Sequence, residues 1–448
     1  MLLRLRPDVI VEPSATGVVF TDPLLRRRLD LGAIHDVLVL LDGRPADSLT
    51  DPRAIAVVRT LLLLGMLDGA GEPVRATLRA HLDGGDLPVT TLPGAAFACQ
   101  GSGGCCRNYV FGPLTDADVA RVEALDLSGF DLPPGAPFYE QGPNGRSLRT
   151  RDGQCVFLDE HARCGLHARH GGRSKPGFCQ LFPLVPWATP SGVRVYDNGE
   201  CVRFPESAAG TAVPLRAGWE AIRDLVPVNL QNPLVHLAPG APCDLGWWLP
   251  AQDALAALVR EAPPPATLRA LGAALGAFTA ALRRCALTET GPTEAIAAFA
   301  TTDWYVAPAS TASPEEGRAA IVSLARALEG IYAGSRAPFT QEMVTALRRL
   351  GTDVANGVPL PRDPDRDGMW SLAYRQRMFG QRALLDGRPR PALLRGCFDW
   401  LVARASGDER TGHTLVSRRL DMPWAPVHQL FTRAEPALEP VLAALDLV

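Results

Sequence analysis

Seven of the ten cysteines in this 448-residue chain fall between positions 99 and 201: Cys99, Cys105, Cys106, Cys155, Cys164, Cys179 and Cys201. Two causes compete for such clustering. Structural disulfides belong to oxidising compartments and mostly rescue chains too small to build a core. This chain is long, and its opening, Met1-Leu-Leu-Arg-Leu-Arg-Pro-Asp, has no apolar run of the length a secretory signal needs. The expectation is a cytoplasmic chain whose grouped thiols stay reduced and bind metal.

Spacing narrows the choice of metal. Zinc sites usually draw four ligands from two short pairs. The intervals here are 5, 0, 48, 8, 14 and 21 residues, unlike a zinc finger. The adjacent pair Cys105-Cys106 is the most informative. Neighbouring side chains point about 100° apart on a helix and to opposite faces of a strand, so clamping one small ion with both is awkward. An iron–sulfur cluster is a larger object that needs four cysteines and tolerates irregular loops. Gly101, Gly103 and Gly104 fit it, because glycine lets backbone N–H groups approach anionic sulfur; they fit a plain turn equally well. All seven cysteines are candidate ligands, with an iron–sulfur cluster as the first expectation and zinc as the alternative. His161, His167 and His170 share the stretch, where an imidazole can replace a thiolate or support one through a hydrogen bond.

These residues resemble the cysteine-cluster family of zinc- or iron-chelating domains. The family's head reads Cys-x-x-Cys-x-x-Cys-Cys; Cys99 to Cys106 keeps that frame with Ser102 in the second place. Its tail is a Cys-x-[Ile/Leu]-[Tyr/His] step, a basic-Pro dipeptide and Cys-x-x-[Phe/Tyr]-Pro. Cys164, Leu166, His167, Lys175, Pro176, Cys179, Phe182 and Pro183 match it. The departure at Ser102 moves expected ligation toward Cys155, Cys164, Cys179 and Cys201. The family includes flagellin lysine N-methylases, and Cys164 to Gly171 is similar to their Cys-x-x-His-x-x-x-Gly tail. The resemblance implies a peptide or protein substrate, S-adenosylmethionine as methyl donor and lysine N-methylation. The alternative is a non-catalytic zinc- or iron-binding module whose helical half docks a partner. No catalytic residue is legible, and neither a phosphate-binding loop nor a nucleophile elbow is present.

Composition sets the frame around the cluster. The length predicts two to four domains, and 47% hydrophobic with 21% charged residues predicts globular ones. A net charge of −3 argues against a nucleic-acid or anionic-membrane surface. No apolar run approaches the roughly 18 residues that span a bilayer. Lys175 is the only lysine beside 44 arginines. It lies in the cysteine stretch, either as a solvated cation beside the thiolates or as a compact charge whose pKa moves readily on burial.

Taken in order, the chain predicts an α+β, multidomain architecture. Residues 1–82 read as a small winged-helix-like domain: strands at Val9–Glu12 and Gly17–Phe20, a helix through Ile34, Val37, Leu38 and Leu41, and another through Ile55, Val58, Leu62 and Met66. Leu5-Arg6-Pro7, Val18–Asp22, Leu38–Gly43 and Leu64-Gly-Met-Leu resemble the winged-helix peptide-recognition domains that accompany peptide-modifying enzymes, the pyrroloquinoline-quinone peptide chaperone among them. Residues 83–98 read as a Gly/Pro-rich linker. The cysteine module spans 99–205. Thr115 caps a helix reaching about Leu127, and a hairpin around Pro190-Ser-Gly192 is expected to deliver Cys201 back to the cluster. Residues 206–448 read as helical, with stripes through Leu268–Leu282, Ile321–Ile331, Met343–Leu350 and Leu394–Leu401, and a capping-box start at Ser313. Cys285 and Cys397 lie on these stripes as small buried hydrophobes, and Cys243 is ambiguous. Asp363 to Gly368 copies the start of a calcium loop, but Tyr374 stands where the bidentate Glu belongs, so a polar loop is expected.

Overall fold

The computed structural model describes residues 2–15, 17–24, 27–30, 41–45, 48–63, 65–68, 75–77, 79–80, 83, 85–108, 111–142, 145–161, 163–198, 201, 213–225, 234–238, 241–259, 264–285, 302–306, 312–334, 340–361, 364–379, 388–406 and 424–446. The architecture is mixed, with small sheets in the first half and helices dominating the second.

At the N-terminus, β1 (Leu2–Arg4) pairs with β5 (Asp42–Pro45), while β2 (Ile10–Pro13), β3 (Val18–Asp22) and β4 (Arg27–Asp30) form an antiparallel meander. Both expected β-branched runs are thus strands, in register at Val11 with Phe20 and Glu12 with Val19. The helix α1 (Pro52–Leu63) packs Val57, Val58 and Leu61 against Leu3, Val18 and Phe20. The buried stripe differs from the expected one: Ile55 is exposed, Ala54 takes the inward position, and Met66 is buried beyond the helix end. Ile34, Val37 and Leu38 of the expected next helix lie outside the described residues, while Leu41 is in a turn and packs against this core. Arg75, 1% exposed, pins the sheet by ion pairs to Asp22 and Asp8.

The stretch expected to be a linker is more than that. It carries β6 (Val89–Thr91) and β7 (Ala96–Phe97), which pair with strands far along the chain. Glycine and proline mark its turns, but three residues suffice for a strand when an open edge waits elsewhere.

The cysteine stretch follows as short pieces: α2 (Gly104–Asn108), α3 (Asp116–Glu123), the hairpin β8 (Tyr139–Gly142) and β9 (Gly145–Leu148), the two-residue strands β10 (Thr150–Arg151) and β11 (Gln154–Cys155), then α4 (Gly165–His170) and α5 (Gly177–Leu181). Thr115 caps α3 as expected, in a capping box closed by Asp118, and the helix stops at Ala124, short of Leu127. The core of this region is Leu114, Val119, Val122, Phe138, Leu148, Phe157 and Leu166, with Cys106 and Cys155.

The hairpin around Gly192 also forms, as β12 (Leu184–Thr189) and β13 (Gly192–Asp197). Its allegiance is different from the expected one. Trp187, Val195 and Tyr196 join the core of the helical half, and β6 adds to β13 in parallel. Arg194 on β13 reaches Asp253 with two bonds of 2.7 Å. Beyond it, β14 (Val213–Pro214) pairs with β7 and leads into α6 (Leu215–Glu220). The hairpin β15 (Leu234–Ala238) and β16 (Ala241–Asp244) precedes α7 (Leu245–Leu258), α8 (Pro264–Cys285), α9 (Pro314–Ala333), α10 (Thr340–Ala355), α11 (Pro364–Phe379), α12 (Pro389–Ala405), α13 (Trp424–Arg433) and α14 (Leu438–Ala444). All four expected stripes are helices. The capping box is present, with Glu316 N–H donating to Ser313 Oγ at 3.1 Å. α11 corrects the polar loop expected after Asp363, a residue itself outside the described ones. Cys397 is fully buried. Cys285 closes α8 and Cys243 lies in β16, both with side chains outside the described ones. No helix among the described residues is long and apolar enough to cross a membrane.

Candidate metal centre

Four separate segments bring thiols to one pocket. α2 carries Cys105 and Cys106, β11 ends on Cys155, Cys164 immediately precedes α4, and Cys179 lies in α5. Each placement has a local cause. Gly101 and Gly103, both at φ +61°, turn the chain through the left-handed region into α2, and both line the pocket. A bridge between Leu158 and Cys164 folds the next segment back on itself. Gly165 then donates to the Phe157 carbonyl at 2.7 Å, and a Cβ there would lie 2.5 Å from the Phe130 ring, so any side chain after Cys164 would push that ring aside.

Cys179 is set by a buried carboxylate. Asp118, 2% exposed, accepts from the Gly177 N–H at 2.8 Å, the Thr115 N–H at 3.1 Å, the Thr115 hydroxyl at 2.9 Å and Arg121 at 2.7 Å. The residue that closes the cap of α3 therefore also holds the start of α5. Burial disfavours its charge, but these donors outweigh burial and keep its pKa below the ordinary carboxylate value. At its other end α5 buries Leu181 in the core of the helical half.

The pocket encloses about 240 Å³. Cys105, Cys106, Cys155, Cys164 and Cys179 line it, Cys99 is exposed and joins the lining, and Phe111, Leu148, Phe157 and Leu166 supply apolar walls. Among the described residues no carboxylate lines it, and the basic groups are Arg163, His167 and Lys175. Cys106 is central, with its sulfur 4.0 Å from that of Cys105 and near enough to Cys155 and Cys164 to influence their ionisation. Its single S–H serves one of these thiols at a time; sharing it raises the pKa of Cys106 and favours the thiolate of whichever neighbour accepts it. The Cys106 bond brings Cys105 to about 7 against burial, with help from the charge of Lys175. Donated to Cys164 instead, the Cys106 thiol brings that group to about 6, assisted by the N–H of His167 and again by Lys175. Cys155 is lowered by Cys106 and by the Phe157 N–H. Cys179 is shifted the other way, because burial of its sulfur dominates.

Of the remaining candidates only His167 joins the pocket. Cys201 is buried with Ala373, packed by Phe97 and Phe182, so the hairpin does not deliver it into the pocket. Phe182 stands between the two places, its ring edge-on to Phe111 at 5.9 Å. His161 is exposed beside Glu160, and His170 faces the Asp126 carbonyl at 3.2 Å. His167 lines the pocket; partial burial and the charge of Lys175 lower its pKa. Asp118 is absent from the sequence-based candidates, although the Thr115-x-x-Asp118 pattern marks it.

The donor set fits an anion-rich metal group. Thiolates are its ligands, and the wall offers five from four segments, two of them already inclined to ionise near neutral pH. Among the described residues no three His, Cys, Asp or Glu side chains converge as a single-ion site. The chain matches no protein-family model, no curated protein and no solved structure, so the cysteine motifs themselves carry the family resemblance.

Proposed function

We propose that this is a cytosolic metal-binding protein whose pocket holds an iron–sulfur cluster through thiolates drawn from Cys105, Cys106, Cys155, Cys164 and Cys179. One observation carries the reading: five thiols from four segments line a single cavity of about 240 Å³. A tetrahedral zinc site with Zn–S of about 2.3 Å holds its sulfurs about 3.8 Å apart and has no use for a fifth thiol or such a volume. A cluster distributes its ligands over a larger object and tolerates the irregular segments that carry them. Anaerobic purification followed by iron, sulfide and zinc analysis tests this. Iron and sulfide in matching amounts are expected; a colourless protein with one zinc per chain overturns it.

The resemblance to lysine N-methylases adds an enzymatic reading, in which the centre belongs to an S-adenosylmethionine-dependent enzyme acting on a lysine of a polypeptide held by a winged-helix-like N-terminal region. Its support is that six residues of the matching tail, Cys164, Leu166, His167, Lys175, Pro176 and Cys179, line the pocket. Methyl transfer to an amine requires the lysine to be neutral and aligned with the sulfonium methyl. Metal-replete protein incubated with labelled S-adenosylmethionine and lysine-rich proteins should place label on lysine. Absence of donor binding by calorimetry, with the metal intact, leaves a non-catalytic metal-binding module.

A further inference from the structure

Of the basic side chains on the pocket wall, two are exposed to solvent. Arg163 is exposed and pairs with Asp159 at 3.4 Å, and His167 is exposed. Lys175 differs. It is half-buried, lines the pocket, and its Nζ donates to the Cys179 carbonyl at 3.1 Å; among the described residues it has no carboxylate partner. Two bonds fix the backbone around it: Gln180 Nε2 donates to the Lys175 carbonyl at 2.6 Å, and Gly177, two residues on, is held by buried Asp118. A cation fixed in this way, facing several thiols and no carboxylate, costs desolvation that a counter-charge in the pocket would offset.

We propose that Lys175 is the built-in counter-charge of the thiol site, compensating the negative charge of a thiolate-ligated iron–sulfur cluster and raising its reduction potential. The proposal rests on the cluster reading above. Reduction adds an electron to a group already negative, and net charge with hydrogen bonding is what sets such potentials. A fixed ammonium stabilises the reduced form more than the oxidised one. The sequence gives an independent reason to look here: this is the one lysine in a chain with 44 arginines. An ammonium is a compact point charge that fits beside a carbonyl among sulfurs, whereas a planar guanidinium needs a wider slot.

The test compares wild type, Lys175→Gln and Lys175→Arg, each purified anaerobically, with iron content, circular dichroism and midpoint potential measured on each. Gln keeps a donor for the Cys179 carbonyl and drops only the charge. Lys175→Gln should keep its iron and be about tenfold harder to reduce, a midpoint lower by about 59 mV for one electron. Lys175→Arg should recover most of that difference. Equal potentials for wild type and Lys175→Gln, at equal iron content, overturn the proposal. Should the wild type hold zinc instead, the cluster reading fails by itself. The counter-charge is then read from zinc release to a chelator, several-fold faster in Lys175→Gln than in Lys175→Arg. Equal release rates would count against it as firmly.

Discussion

Cys106 and Cys397 are 7% and 0% exposed, so by burial alone they are the same kind of residue. Their surroundings separate them. Cys397 sits in the large apolar core of the helical half, where burial, reinforced by the charge of Asp399, pushes its thiol far up. Cys106 sits among sulfurs, its own 4.0 Å from that of Cys105. The scaffolds differ as sharply. The helical half has helices of 22 and 20 residues, while the thiols ride on helices of 5 and 6 residues and two-residue strands. Segments that short do not hold their shape alone. In the thiol region the apolar core is small, and Asp118, Ser174 and Gln180 tie turn to turn. A metal centre bound there would act as a cross-link between segments, whereas the helical half has no need of one.

The largest expected effect breaks the two regions apart. Replacing Cys155 or Cys164 with Ala should abolish metal content and open residues around 99–181 to protease while the helical half stays resistant. Metal binding at such sites is folding energy, on the order of 10 kcal/mol where it has been measured for structural zinc. Loss of the whole fold, or full metal retention, would sink the contrast.

Next comes thiol reactivity in metal-free protein at pH 7. Cys164 and Cys105, lowered to about 6 and about 7, are largely or half thiolate there, and Cys397 is protonated and enclosed. Peptide mapping after brief iodoacetamide treatment should find the first two labelled at least tenfold faster than Cys397. Because a lowered pKa keeps the thiolate populated down to that value, labelling of Cys164 should persist to about pH 6 and fall below it.

Asp118→Ala is expected to cost about 2–4 kcal/mol by denaturant unfolding, combining a lost cap with a buried donor at Gly177 left unpaired. It should also weaken metal retention, which a change confined to α3 would not. Asp118→Asn should lie between. The smallest effect is Cys397→Ala, on the order of 1 kcal/mol with full metal content. Metal loss from that variant would erase the distinction between core thiols and pocket thiols.

Much of this was legible from local chemistry. Capping boxes at Thr115 and Ser313, the β2–β3 and β12–β13 pairings and the long amphipathic helices depend on residues close in sequence, so the pattern suffices. Ile55 shows the limit even there, since two overlapping apolar faces are available on α1 and only the partner sheet chooses between them. The cysteines themselves named the candidate centre. What sequence could not order was which of seven share a pocket. Cys201 was placed by the hairpin before it, and that hairpin's inward face, Trp187, Val195 and Tyr196, belongs to the helical core; the chain leaves Cys201 against Ala373. The strands β6 and β7 were hidden for the same reason: their hydrogen-bond partners lie about a hundred residues away, at β13 and β14. Composition and spacing thus determined which chemistry this chain carries. The packing of distant segments decided that five thiols and the single lysine face one cavity, because contacts between remote residues obey no period a sequence displays.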